Sequence, residues 1–217
     1  MKFLLIVEGY TEHSAVPDFL RRWLHSRDSL PKTKKVGINV TNLKGGGKEL
    51  FDRIVSKAEY YLKGGGQDPT IIAVLGMLDL CNPSFDELWN PNGLSAADER
   101  YEWAVKHISD RVNHNQFRMF FAVHEVEAWL LSQPKNLRVK LSKPDREKCE
   151  RPEEINFITP PSKLLNQRYS RDLKKNYKKI VDGNQLFSKL EPDVAYDKCP
   201  YLRKMLDEME SLAMKAL

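Results

Sequence analysis

The sequence predicts an α/β fold: a mostly parallel four-stranded sheet flanked by helices, with a C-terminal helical extension. Three observations point there. Strand-length apolar runs alternate with stretches at helical spacing, three of those runs end in acids, and the last third loses its strands and turns basic. Strands separated by helices imply parallel βαβ units with right-handed crossovers.

Lys2–Val7 is a continuous apolar run, as a strand covered on both faces requires. Residues 11–24 place Ala15, Phe19 and Trp23, with Val16, Leu20 and Leu24, at helical spacing. Val36–Leu43 alternates apolar and polar residues, a second strand. Lys48–Leu62 carries Leu50, Ile54, Ala58, Tyr61 and Leu62 on one helical stripe. Thr70–Leu78 (TIIAVLGML) reads as the most buried strand and runs into Asp79. Ser95 can cap a helix reaching Val112, and Phe117–Val123 is the fourth strand. From Gln133 to Pro161 the pattern gives way to Pro-, Lys- and Glu-rich sequence, a surface excursion. Helices are expected near Ser162–Gln167, Ser170–Val181, Gln185–Leu190 and Tyr201–Ala216. Residues 1–132 form the predicted α/β core, and 133–217 a basic loop and helical extension packed on it.

Charge follows the same division. Residues 1–132 hold 16 Lys/Arg against 17 Asp/Glu, whereas 133–217 hold 19 against 13. A near-neutral front and a basic back suit an anionic partner gripped from behind. Cys81, Cys149 and Cys199 are widely spaced, suggesting neither a disulfide framework nor a zinc site. With no signal-peptide pattern and no apolar stretch of membrane-spanning length, a cytoplasmic protein is expected.

Acids at strand ends carry the chemistry. Glu8 follows the first strand, Asp79 the third, and Glu125 and Glu127 the fourth, while Glu12 opens the helix after Glu8-Gly9. In a parallel sheet these ends share one edge, where open α/β folds bind ligands. One acid there is punctuation; three strand ends delivering acids predict a metal-binding edge. Carboxylate oxygens suit Mg²⁺ or Mn²⁺. Such ions can bridge a phosphodiester, generate hydroxide and stabilise the leaving oxygen. Glu8 could also act as general base or acid.

Other motifs are weaker. Lys44-Gly45-Gly46-Gly47-Lys48 joins a strand to a helix and could cradle a phosphate, although the Walker spacing is absent. His124-Glu125 is not a zinc-protease motif, because position 128 is Ala. Lys163–Lys179 (KLLNQRYSRDLKKNYKK) holds seven basic residues, with Tyr169 and Tyr177 interleaved. Lys163, Arg168, Arg171, Lys174, Lys175, Lys178 and Lys179 could contact phosphates and the tyrosines stack on bases, or the run could be a solvated helix face. Ser162 can cap a helix whose start points Lys163 toward the acid edge.

Glu8-Gly9 with Glu12, then Asp79, then His124-Glu125-Val126-Glu127 together resemble a Toprim domain. The match is to the kind found in OLD-type nucleases and in small Toprim-like proteins encoded beside AAA/ABC-type ATPases in phage-defence loci. Glu127-Ala128-Trp129-Leu130-Leu131 and Pro161-Ser162-Lys163 match further segments of that small family, so the resemblance spans roughly residues 1–165. It implies a Mg²⁺- or Mn²⁺-dependent nuclease acting on DNA or RNA, with Glu8 and Lys163 catalytic and Glu8, Glu12, Asp79, Glu125 and Glu127 around the metal. One position departs: the pattern expects Asp-x-Asp, and this chain has Asp79-Leu80-Cys81. Either Glu125, Glu127, Asp86 or Asn82 supplies the missing oxygen, or the site is weakened. In the second case the chain is a Toprim-derived module that binds nucleic acid or an ATPase as a regulator. Homo-oligomerisation is left open.

Overall fold

A computed structural model describes residues 1–33, 35–43, 49–80, 97–154 and 159–217. Four strands, β1 (Lys2–Val7), β2 (Gly37–Asn42), β3 (Ile71–Asp79) and β4 (Phe117–Ala122), form one all-parallel sheet in the order β2-β1-β3-β4. Val7 pairs with Asn42 on one side and Met77 on the other, and Asp79 pairs with Ala122. The carboxyl ends therefore line up along one edge. Within β1, Phe3, Leu5 and Val7 enter one hydrophobic cluster and Leu4 and Ile6 the other. That is the period-two alternation of a strand buried on both faces, and it explains the unbroken apolar run.

Helices α1 (Tyr10–Ser14) and α2 (Val16–Ser26) lead from β1 to β2 and pack on the Phe3 face. Helices α3 (Leu50–Leu62), between β2 and β3, and α4 (Ala97–Val112), between β3 and β4, pack on the Leu4 face. The chain steps from β1 outward to β2, then back across β1 to β3 and on to β4. With right-handed crossovers, that reversal puts the helices on opposite faces. It also makes the gap between β1 and β3 the topological switch point, where such sheets open a crevice.

The single helix expected over residues 11–24 is instead two. Pro17 lies in the first turn of α2, and a continuous helix would need the N–H it lacks. After β4 come α5 (Glu127–Leu131), a 3₁₀ turn (Pro134–Asn136), α6 (Lys143–Glu150), a second 3₁₀ turn (Pro152–Glu154) and α7 (Pro161–Leu173). The stretch from Gln133 to Pro161, expected as an irregular excursion, therefore holds a helix of its own, α6, which Ser142 and Asp145 start with a capping box. A π-helical turn (Lys179–Gly183), α8 (Asn184–Lys189), α9 (Pro192–Lys198) and α10 (Pro200–Lys215) complete the fold. The two helices expected over 162–167 and 170–181 are one, α7, ending where Lys174 turns left-handed at φ 55°.

Trp129, Leu165, Tyr169, Phe187, Leu202 and Leu206 share one cluster with Phe3, Leu5 and Trp23. The C-terminal helices thus complete the core under one sheet face. Buried Glu153 ties the second 3₁₀ turn to α10, accepting the Tyr201 and Leu202 N–H groups at 2.8 and 3.2 Å. Burial pushes its carboxyl up to about 8 despite those donors. Glu153→Ala strands two N–H groups at a helix start and is expected to lower stability by about 1–3 kcal/mol, read from the urea midpoint.

Candidate functional site

Glu8 directly follows β1 and Asp79 closes β3, so the two acids flank the switch point. Beyond β4, buried His124 adopts φ 42°, a left-handed conformation sparsely populated by non-glycine residues. That turn redirects the chain before Glu125 and Glu127, the latter opening α5. Glu12 sits in α1, buried against the backbone of Gly9. A Cβ at Gly9 would lie 1.9 Å from Glu12 Oε2 and 2.6 Å from its Cδ. Gly9 is thus needed for close approach, not for a positive φ, since its φ is −91°.

At the centre of these acids is Lys179. Its Nζ lies 3.1 Å from Glu125 Oε1 and 3.5 Å from Glu127 Oε2. Ser162 holds Glu125 from the other side: its N–H donates to Oε2 at 2.8 Å and its hydroxyl to Oε1 at 2.9 Å. The Val126 N–H donates to Asp79 Oδ1 at 3.2 Å, fastening the β3 acid to the β4 segment. Glu127 is fully buried, yet neither of its oxygens accepts a hydrogen bond among the described residues. Its contact with Lys179 is ionic only. The buried Tyr177 hydroxyl, within the field of Glu127 and Glu125, also lacks a partner there.

Burial and crowding act together on this edge. Desolvation, then the charges of Glu8 and Glu125, raise the Glu12 carboxyl. Desolvation, Glu12 and Glu127 push Asp79 well above the usual range, and desolvation carries Glu127 up to about 7 although Lys179 opposes it. Burial disfavours the Lys179 ammonium, but Glu127, Asp79 and Glu125 outweigh it and raise its pKa. Among the described residues no three His, Cys, Asp or Glu side chains are gathered around a common point as metal ligands. The acids surround an ammonium instead.

The basic run is deployed differently from its sequence pattern. Lys163 is exposed, its N–H bonded to Pro160 O, and it is Ser162 that reaches the acids. Lys179, expected to hold nucleic acid, is committed to the acid cluster. Arg168 pairs with buried Asp145, Lys175 with buried Asp182, and Arg171 with Asp172 and Lys140 O. Tyr169 and Tyr177 are buried edge to face against each other, 5.3 Å apart, so they serve the core and not base stacking. Lys174 and Lys178 remain exposed. Lys44, Lys48, Cys81, Asn82 and Asp86 lie outside the described residues.

A family model matches residues 7–210, from the end of β1 into α10. The chain belongs to the DUF4276 family. That family is described as a domain of unknown function. No curated protein and no solved structure matches the chain. The DUF4276 span includes all five carboxylates together with Ser162 and Lys179, so the sheet edge and the helical part that answers it fall within one family unit. Among the described residues of this DUF4276 chain, no helix is long and apolar enough to cross a membrane.

Two measurements probe the geometry. Raised carboxyls bind protons more tightly folded than unfolded, so their contribution to stability is fully present below the ordinary value of 4.5 and is lost as pH rises through about 7 for Glu127. Cation-free protein is therefore expected to melt at lower temperature at pH 8 than at pH 5, and Glu127→Gln to flatten that slope. Gly9→Ala should retain the fold, because the displaced atom is the tip of a long side chain, while forcing the Glu12 carboxylate out of its place. Unchanged circular dichroism with a smaller fall in melting temperature between pH 5 and pH 8 is the expected outcome, since Glu12 leaves the buried acid cluster that raises its carboxyl.

Proposed function

We propose that this chain is a divalent-cation-dependent nuclease, or a related phosphoryl-transfer enzyme, acting on DNA or RNA at the carboxyl edge of its sheet. One observation carries the reading: acids from three strand ends and α1 meet at the switch point, and one of them, Glu127, is fully buried with two oxygens that accept no hydrogen bond among the described residues. A buried carboxylate without donors is costly unless a cation answers it, and the Lys179 ammonium reaches only one of its two oxygens, at 3.5 Å.

The donor set fits Mg²⁺ or Mn²⁺, since every candidate ligand is a hard oxygen: Glu8, Glu12, Asp79, Glu125 and Glu127. When bound, such an ion polarises the phosphate and lowers the pKa of a water nucleophile. The chain's own groups do the positioning. Ser162 orients Glu125, the Val126 N–H orients Asp79, and the missing side chain at Gly9 admits Glu12. Exposed Lys174 and Lys178, and Lys163 beside Ser162, offer sequence-independent phosphate contacts. The resemblance to Toprim domains of OLD-type nucleases supports the same chemistry, and with it a role in phage defence beside an AAA/ABC-type ATPase.

A second reading, a regulator that binds nucleic acid or an ATPase without cutting, is favoured by the ammonium among the acids and by Cys81 in the Asp-x-Asp position. Cleavage of single- and double-stranded DNA and RNA with Mg²⁺ or Mn²⁺ separates the two. Wild type is expected to cut, and Glu8→Gln and Glu127→Gln to lose at least about 100-fold of the rate. Cation binding without cleavage, with or without an ATPase, would favour the regulator. Lys174→Ala with Lys178→Ala should lower the salt slope of nucleic-acid binding by about two, since each lysine neutralises one phosphate.

A further inference from the structure

We propose that Lys179 is a tethered counter-ion: its ammonium holds the cation position among the acids, and a divalent ion binds by displacing it. The inference rests on the reading that this edge takes a divalent cation, and it assigns how entry to that site is controlled.

Lys179 and an ion compete for the same oxygens. The ammonium already contacts Glu125 at 3.1 Å and Glu127 at 3.5 Å, and it lies within the field of Asp79 and Glu12. Mg²⁺ or Mn²⁺ needs carboxylate oxygens at about 2.1 Å, which draws those acids inward and puts two cations within mutual repulsion of each other. This accounts for a crowd of acids in which, among the described residues, no three are set as ligands. Glu125 and Glu127 instead stand at ion-pair distance from an ammonium.

The way out is short. The Lys179 side chain is 46% exposed although its ammonium contacts a fully buried acid, so solvent already reaches it. Its backbone begins the π-helical turn, an arrangement found often at functional sites. That turn is pinned from beneath, because buried Asp182 accepts the Lys175 ammonium at 2.8 Å and the Lys178 N–H at 2.9 Å. Ile180 and Val181, the two residues after Lys179, face solvent at 50% and 64% exposure. A rotation about the Lys179 side-chain bonds, with the backbone held, is sufficient. The released ammonium then lies on the rim, where an anionic phosphate approaches the ion.

Lysine labelling on wild-type protein tests this. An amine-acetylating reagent is applied with and without saturating Mn²⁺, with Mn²⁺ binding followed independently by its electron paramagnetic resonance signal and acetylation read at each lysine by mass spectrometry. Mn²⁺ is expected to raise the Lys179 rate about tenfold, the gain from one unit of lost ion pairing, while exposed Lys174 and Lys178 are unchanged. Lys179→Met, which keeps the stem and removes the charge, should bind Mn²⁺ about tenfold more tightly. Bound Mn²⁺ with Lys179 labelling unchanged or slowed would overturn the displacement and leave the metal site standing. So would a parallel rise at Lys174 and Lys178, or weaker binding by Lys179→Met. Failure of Mn²⁺ to bind at all would overturn the metal-site reading and the displacement together.

Discussion

Like charges held close together, out of water, at one sheet edge are the constraint on which the rest of this molecule depends. Desolvation is the larger part of that constraint, and mutual repulsion, roughly 4 kcal/mol for two unit charges about 4 Å apart at the effective dielectric of a protein surface, adds to it. Here Glu12, Asp79 and Glu127 are all driven to hold protons more tightly, and a single ammonium, Lys179, offsets part of the crowding. Such an arrangement contributes little to stability, since apolar residues of similar size often pack at no greater cost. The crowding falls where the sheet opens its crevice, which is the ground for reading this edge as the candidate site.

The C-terminal helices answer that constraint and are more than a cover for the sheet. Ser162 at the start of α7 takes both oxygens of Glu125, and Lys179 at the start of the π-helical turn reaches Glu125 and Glu127. Tyr169 and Tyr177 support that turn from inside the core, and Asp182 anchors it. Without this part, β1, β3 and β4 would still bring their acids to one edge, but the Lys179 ammonium and the Ser162 donors would be missing from it. The family match spans both parts, consistent with their forming one functional unit.

Much of the basic character of residues 133–217 is absorbed internally. Arg168, Lys175 and Lys179 each answer a buried acid, and a buried charge needs its partner more than a surface can spare it. The free positive surface is therefore smaller than the sequence count implies, and within residues 163–179 it is left to Lys163, Lys174 and Lys178.

By itself the sequence determined what local rules govern. The four strands follow from apolar period and length, and the positions of Glu8, Asp79, Glu125 and Glu127 at strand ends follow from where those runs stop. Parallel pairing then puts the acids on one edge without further information, because right-handed crossovers leave little choice. Two further boundaries are also local in origin: Pro17 divides α1 from α2, and the Ser142–Asp145 capping box starts α6. Only the tertiary structure decided the rest. The sequence favoured Lys163 as the lysine at the acid edge, but the chain, after its left-handed turn at Lys174, brings Lys179 to Glu127 instead. Gly9 reads as a turn residue until Glu12 is seen lying over its Cα. The reason is physical: strand and helix periods are written in neighbouring residues, whereas Glu125 meets Lys179 through a contact between residues 54 positions apart.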